Sequence, residues 1–361
     1  MSEVEKSSQD ATLPRALFLF IVAKLVVICY AYLVWKTAHA LGSFPEAWNR
    51  WDAPHYLTIA TEGYRARPLF LVFFPLYPFL IRCLVWTGVT PALLALLLSN
   101  VASLGAAYFL YRLTAHDYGD EIALRAVWYL AIFPTAYFLC AGYTESLFLL
   151  TALACVYAAR LRRWWLAGVL GCLATATRLV GLAVVPALLL EAMQQHRQEP
   201  GSVSIRRVMG ASGVAVFGFV VHLLINYAVT GSWFWFLIPL KDHWSKAFRW
   251  PWRGFYESTT IAHLLHPDPE FLGAWTGLLL MPWVVARLRY AASAFYIVSF
   301  LMFTSSSFWL SLPRYTLSQF PLFILFARWG SRRWVDRGLT MISIWWLGVY
   351  LSRFIQGDWA F

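Results

Sequence analysis

The sequence predicts an all-helical protein that crosses a membrane many times, organised as a single membrane-embedded domain over residues 1–361. Three observations carry that prediction. Hydrophobic residues make up 60% of the chain and charged ones 13%, outside the range of soluble globular domains. Apolar runs of roughly span length recur from one end of the chain to the other. The arginines gather in short turns between those runs, so the net charge of +11 is a signal of topology and not a nucleic-acid-binding face.

Ala16 to Trp35 is the first run. A mixed-charge start, Met1 to Arg15, precedes it, and no small-residue cleavage site follows, so it reads as a retained signal-anchor helix. Lys24 inside it reads as a snorkelling or helix-packing lysine. The later runs are Pro91 to Leu110, Ile122 to Cys140, Glu145 to Ala159, Trp164 to Thr177, Leu179 to Met193, Val208 to Val229, Phe271 to Ala286, Tyr290 to Phe308, Tyr315 to Ala327 and Leu339 to Phe354. Several are shorter than the about 20 residues a span prefers, which points to shallow or broken helices lining a cavity.

Leu69 to Val85 is apolar too, but Pro75 and Pro78 interrupt it and Arg82 lies inside it. If this stretch does not cross, the clusters at Arg112, at Arg160, Arg162 and Arg163, at Arg197, Arg206 and Arg207, at Arg287 and Arg289, and at Arg328, Arg332, Arg333 and Arg337 share one side. Charge bias makes that side the cytoplasm, where these turns also meet anionic lipid. The reading is an N-in topology with about 11 spans. It has a first outer loop over 36–90, with juxtamembrane or re-entrant helices, and a second over 230–270 crowded with aromatics. Cys29, Cys83, Cys140, Cys155 and Cys172 all sit in apolar runs without metal-ligand spacing, so neither a disulfide framework nor a zinc site is expected.

On this topology the ionisable groups near the outer surface form a short set. Asp52, His55 and Glu62 come from the first loop, with Trp51 and Tyr56 beside them. Tyr143, Thr144 and Glu145 occupy a turn between two runs, Arg178 another, and Arg314 opens a span after Pro313. Lys241, Asp242 and His243 lie in the aromatic loop with Trp244 and Trp250. Carboxylates and cations from distant parts of the chain thus meet on one face, as a site that activates a hydroxyl beside an anionic lipid phosphate requires. Each has a plainer role available: Asp52 and Thr144 as helix N-caps, Glu145 as a first-turn carboxylate, Arg178 and Arg314 as snorkelling residues, and the aromatics as an interfacial belt.

The blocks Arg50-Trp51-Asp52-x-x-His55-Tyr56, Ile59-Ala60, Gly63-Tyr64 and Phe73-Phe74-Pro75-Leu76-Tyr77-Pro78 resemble the signature of the PIG-V-like proteins, the second GPI mannosyltransferase type among the GT-C membrane glycosyltransferases. The resemblance continues through Gly142-Tyr143-Thr144-Glu145-Ser146, Thr177-Arg178-x-x-Gly181, Trp244 with Trp250-Pro251-Trp252, Pro313-Arg314-Tyr315 and Phe320-Pro321, and covers most of the chain in order. It implies a GT-C-type fold and a polyprenyl-phosphate-sugar donor, with mannose as the sugar. Transfer would invert the anomeric centre and reach a hydroxyl of a glycan or glycolipid acceptor at the extracytoplasmic face.

The family's key acidic residue carries over to Asp52. Many GT-C enzymes have two adjacent carboxylates there, whereas this chain has Trp51-Asp52, so Glu145 is the candidate for the second and Glu62 the reserve. Arg178 and Arg314, as bidentate donors, are the choices for the donor phosphate, with Lys241 and His243 secondary. The resemblance places His55 beside the catalytic carboxylate and Trp51, Tyr56, Tyr143, Trp244 and Trp250 along the substrate, and lets Phe73 to Arg82 line the path of the prenyl tail. No metal or other cofactor is expected, because arginines stabilise the departing phosphate. GPI anchors belong to eukaryotes, whereas this compact, arginine-rich chain looks bacterial; the expected location is a bacterial plasma membrane (endoplasmic reticulum if eukaryotic) and the acceptor is not a GPI intermediate. The rival readings are a transporter or lipid flippase and a non-catalytic subunit of a glycan-assembly complex. The first fits poorly with charges collected at one surface and no visible inverted repeat.

Overall fold

The computed structural model describes residues 3–38, 42–258 and 268–360, with side chains from residue 12. Residues 39–41 of the first anticipated outer loop and 259–267 of the second lie outside the described residues. The described chain is helical and contains no strand; an isolated bridge between Phe248 and Ser306 ties the aromatic loop down.

Apolar composition and capping residues together define the long helices. After α1 (Glu3–Thr37), three short helices occupy the first loop: α2 (Phe44–Ala47), α3 (Ala53–Glu62) and α4 (Leu76–Leu84). Helix α5 (Pro91–Tyr118) starts where Thr90 accepts the Leu93 N–H and Pro91 fills the first turn, and it stops at Gly119, whose φ is +87°. Next come α6 (Asp120–Ile132), α7 (Glu145–Arg160), α8 (Trp164–Thr177), α9 (Val184–Gln198) and α10 (Ile205–Thr230). The second loop carries α11 (Leu237–Asp242) and α12 (Pro251–Ser258). Then follow α13 (Pro269–Arg287), α14 (Tyr290–Thr304), α15 (Leu312–Leu317), α16 (Phe320–Trp329) and α17 (Arg333–Gln356).

Among the described residues, six segments are long and apolar enough to cross a membrane: Thr12–Thr37, Pro91–Tyr118, Leu179–Gln198, Ile205–Thr230, Pro269–Arg287 and Arg333–Gln356. Leu76–Thr87, Trp164–Thr177, Tyr290–Thr304 and Phe320–Trp329 are shorter apolar helices. Two of the apolar runs are broken within their length. The run from Ile122 leaves the helix at Phe133 and Pro134 and ends in a 3₁₀ turn over Ala136–Leu139. The run from Tyr315 is divided by Ser318 and Gln319 between α15 and α16. The ambiguous stretch Leu69–Val85 resolves into a 3₁₀ turn, the nine-residue α4 and a second 3₁₀ turn. At 1.5 Å per residue α4 is about 14 Å long, about half a hydrocarbon thickness.

The bundle has two chemically distinct ends, and α7 connects them. At one end Arg160 donates to Asp117 of α5 at 2.7 Å and lies 3.7 Å from Glu191 of α9, while Arg289 reaches the same buried Glu191 at 3.0 Å. Arg162 pairs with Glu199, and Arg328 donates to the Arg287 carbonyl. Arginine turns far apart in sequence therefore come together, as the charge pattern anticipated. In between, α8 and α10 pack closely through small residues: a Cβ on Gly218 would stand 2.0 Å from the Cys172 carbonyl. Lys24 neither snorkels nor stands free. It donates to Ser103 of α5 at 2.5 Å and to the Leu139 carbonyl at 2.9 Å, so it joins α1 to two other segments.

Candidate active site

The other end of α7 begins with Glu145, whose carboxylate is wholly buried. Glu145 Oε1 accepts from Arg178 at 2.5 Å and lies 3.0 Å from Arg314 Nε. Arg314 in turn donates through Nη1 to Asp52 Oδ2 at 2.7 Å. Four residues named from the sequence thus form one alternating chain: Asp52, Arg314, Glu145, Arg178. Two carboxylates against two guanidiniums make it neutral, and it joins the start of α3, the start of α7, the α8 terminus and α15.

The capping roles are absent. Asp52 occupies the N-cap position of α3 and Thr144 that of α7, yet neither side chain makes a cap hydrogen bond. Asp52 turns to Arg314 instead, and Thr144 Oγ1 accepts from Arg178 at 3.3 Å. Arg314 is buried against the rings of Phe138, Tyr143 and Tyr315, with its guanidinium carbon 5.3–5.4 Å from each centroid. A snorkelling arginine would extend to water; this one is enclosed by aromatic faces and anions.

Local sequence explains how the parts reach one another. Gly142 is in place because a Cβ there would stand 2.6 Å from Asn49 Oδ1 and 3.2 Å from Ala95 Cβ, so the Gly142-Tyr143-Thr144-Glu145 turn lies flat on the loop that presents Asp52. Ser99, in the third turn of α5, donates to the Tyr143 carbonyl at 3.0 Å and sets the depth of that turn. The Tyr143 hydroxyl donates to the Arg50 carbonyl at 2.6 Å and so fixes the residue two before Asp52. Burial first, and then the Asp52 charge, push that hydroxyl well above its ordinary pKa, which keeps its proton in place. Gly181 closes the Arg178 turn, where a Cβ would meet the Ala174 carbonyl at 2.4 Å.

The remaining sequence candidates divide. His55 lies in an aromatic slot, 4.6 Å from Phe70, 5.3 Å from Phe73 and 6.3 Å from Trp244 between ring centroids. Burial lowers its pKa from 6.5, against the opposing pull of Asp52, and the neutral imidazole is favoured. Tyr56 is buried under Phe73 and Tyr77 and is part of the floor. Trp250 stacks on Trp252 at 4.8 Å and both stay exposed on the aromatic loop. The structure does not bring Lys241 and His243 to the arginines: both are exposed at the end of α11, and His243 packs on Trp244. Glu62, at the exposed end of α3, does not join the carboxylate chain either.

Two groups that sequence reasoning passed over complete the site. Lys246 donates to the Tyr315 hydroxyl at 2.7 Å and to the Leu310 carbonyl at 2.9 Å, with Nζ 4.7 Å from the Tyr315 ring centroid. Arg178 and Arg314 also lie over that ring, each at 5.3 Å. Burial works to raise the Tyr315 hydroxyl, but Lys246, Arg314 and Arg178 outweigh it and hold it below its ordinary pKa. Lys246 makes no ion pair among the described residues, so it leaves the cluster with one surplus positive charge. The available signal was its position two residues after Trp244 and the tyrosine directly after Arg314. No group of three or more His, Cys, Asp or Glu arranged to hold a metal occurs among the described residues.

The chain is 34% identical over 154 residues to GPI alpha-1,6-mannosyltransferase 2 of Cricetulus griseus, a match covering 39% of this chain and 31% of that protein. With the Homo sapiens protein of the same name it is 33% identical over 150 residues, covering 38% of this chain and 30% of the relative. The chain thus spans about a third of the length of these curated relatives. The Archaeoglobus fulgidus oligosaccharyltransferase superposes on 95% of this chain and 53% of its own, with 14% identity and a TM-score of 0.47. Residues 29–230, more than half of the sequence, match the mannosyltransferase (PIG-V) model, and this integral membrane protein belongs to that family.

Proposed function

We propose that the protein is a membrane glycosyltransferase that moves a sugar, mannose, from a polyprenyl-phosphate-sugar donor to a glycan or glycolipid hydroxyl at the extracytoplasmic face, with inversion. The observation that carries this reading is the Asp52–Arg314–Glu145–Arg178 chain, with Lys246 as an additional cation at its edge. A carboxylate partly open to solvent, a buried anion that orders two guanidiniums, and an unpaired ammonium are what acid–base work beside a phosphate leaving group needs.

In this mechanism the acceptor oxygen attacks the anomeric carbon opposite the phosphate. The new C–O bond forms as the bond to the phosphate oxygen breaks, and the electron pair leaves with the polyprenyl phosphate. Asp52, whose side chain retains 21% of its exposure, takes the acceptor proton. Glu145, inaccessible behind it, holds Arg178 and Arg314 in register. Lys246 and the Arg178 donors not engaged by Glu145 receive the phosphate charge; Lys246 thereby takes the place expected of Lys241. Side-chain cations do the work of a metal, so the reaction runs without one. The arginine turns face the cytoplasm in this reading, and the site faces outward.

Purified protein in nanodiscs, supplied with polyprenyl-phosphate-mannose and a panel of mannoside acceptors, should release polyprenyl phosphate in step with glycoside formation. Arg178→Lys and Lys246→Ala should raise the donor KM by about one to two decades, as expected for losing a charge-assisted hydrogen bond. Movement of the donor lipid across the bilayer with no release of polyprenyl phosphate would make the protein a flippase and overturn the reading.

A further inference from the structure

Trp51 stands in an unusual backbone conformation for its residue type. Its φ is +57°, in the left-handed region that bulky side chains rarely occupy. The turn that holds it is braced from both sides. Tyr143 takes the Arg50 carbonyl, and Arg50 itself donates to the Ile355 carbonyl at 2.9 Å. The segment after α17 folds back over this turn: Gly357, at φ +91°, leaves room for the Arg50 guanidinium, which a Cβ would meet at 2.5 Å. Tyr137 donates to the Ala360 carbonyl and fastens the segment to the core.

The product of this bracing is an indole beside the catalytic carboxylate. Trp51 keeps 41% of its surface exposed and meets Trp359 edge to face, with ring centroids 5.0 Å apart at 79°. A belt tryptophan needs neither strain nor a braced partner. Behind the pair, the buried Trp359 indole N–H interacts with the Glu270 carboxylate.

We propose that Trp51, backed by Trp359, is the platform on which a pyranose ring of the acceptor stacks; this rests on the transferase reading above. A hexopyranose matches each part of the surface. Its C–H face is apolar and slightly positive, complementary to the negative face of an indole. Its hydroxyls find acceptors in Asp52 and Glu270. A ring stacked on Trp51 presents its neighbouring hydroxyl to Asp52, one residue away. Trp51 touches the sugar, whereas Trp359 is a positioning residue that acts through Trp51.

Two measurements on the full chain in nanodiscs test this. In saturation-transfer NMR with methyl α-mannopyranoside, ring C–H protons should receive magnetisation from the protein, and Trp51→Ala should weaken apparent affinity about tenfold, with Trp51→Phe intermediate. In the transfer assay, Trp51→Phe and Trp359→Phe should raise the acceptor KM several-fold while the donor KM moves less than about twofold. Binding that depends on Trp51 in a wild-type protein that transfers nothing would support the platform and remove the transferase. Transfer with acceptor KM unchanged in both phenylalanine variants, or no mannoside binding by the wild type, would overturn the platform.

Discussion

Replacing Asp52 with Asn keeps the side chain's shape at the head of α3 and removes the charge that faces Arg314. Transfer should fall about 100- to 10,000-fold, the usual effect of deleting a positioned base, while the melting temperature stays close to wild type because Asp52 is partly solvated. Turnover within a few-fold of wild type would leave Asp52 a purely structural role. Glu145→Gln should behave differently. Its carboxylate is wholly enclosed between two guanidiniums, so removing its charge leaves buried cations uncompensated and costs about 3–5 kcal/mol. Thermal unfolding should register that loss before any assay is run. His55 supplies a pH handle. Its pKa is lowered in the fold, so the stability tied to its neutral form is intact above its ordinary value of 6.5 and is lost as pH falls through the lower native value. His55→Phe should flatten the decline in melting temperature below about pH 6.5. EDTA should leave transfer unchanged; a loss restored by Mg²⁺ would make Asp52 and its neighbours metal ligands. At this scale the motif blocks named both carboxylates and both arginines. Lys246 escaped because nothing local separates it from Lys241: the turn after α11 decides which lysine faces Tyr315.

Single helices and turns carry the geometry that these residues depend on. Gly181 is the sharpest case, since a Cβ there would collide with backbone and not with the end of a movable side chain. Gly181→Ala should therefore shift the Arg178 turn, with a stability loss of about 1–3 kcal/mol and a rise in donor KM. A wild-type KM would mean that Arg178 does not bind the donor. Apolar runs located α7 and α8 in the sequence to within a residue or two, because composition changes at both of their ends. They did not locate the breaks at Pro134 and at Ser318–Gln319, where apolar side chains continue through a changed backbone. Hydropathy reads what a segment touches and is blind to which hydrogen bonds its backbone makes. Leu69–Val85 is read as non-crossing only from where the arginines lie; hydropathy alone does not distinguish it from a span.

For the molecule as a whole, the orientation of the two ends is the decisive quantity. On a background with the native cysteines replaced, a cysteine at Glu62 or Trp250 should react in intact cells with an impermeant thiol reagent, and one at Arg162, Arg206 or Arg332 should not. The reverse pattern would turn the site inward and exclude an extracytoplasmic donor. The sequence foresaw that the arginine turns share one end, because positive charge is distributed by insertion and is visible in one dimension. It could not foresee the contact between the segment after α17 and the Arg50 turn, which joins residues 305 positions apart. The position of Ser99 has a further consequence. It is level with the Tyr143 turn yet eight residues into α5, so the carboxylates lie about 12 Å below the N-terminal tip of that helix, whose first turns are surrounded by α3 and α4. On the proposed chemistry this depth acts as a reach filter. A hydroxyl on the broad face of a folded protein is held off by the rim, and one carried on a slender chain or a lipid headgroup can descend to Asp52.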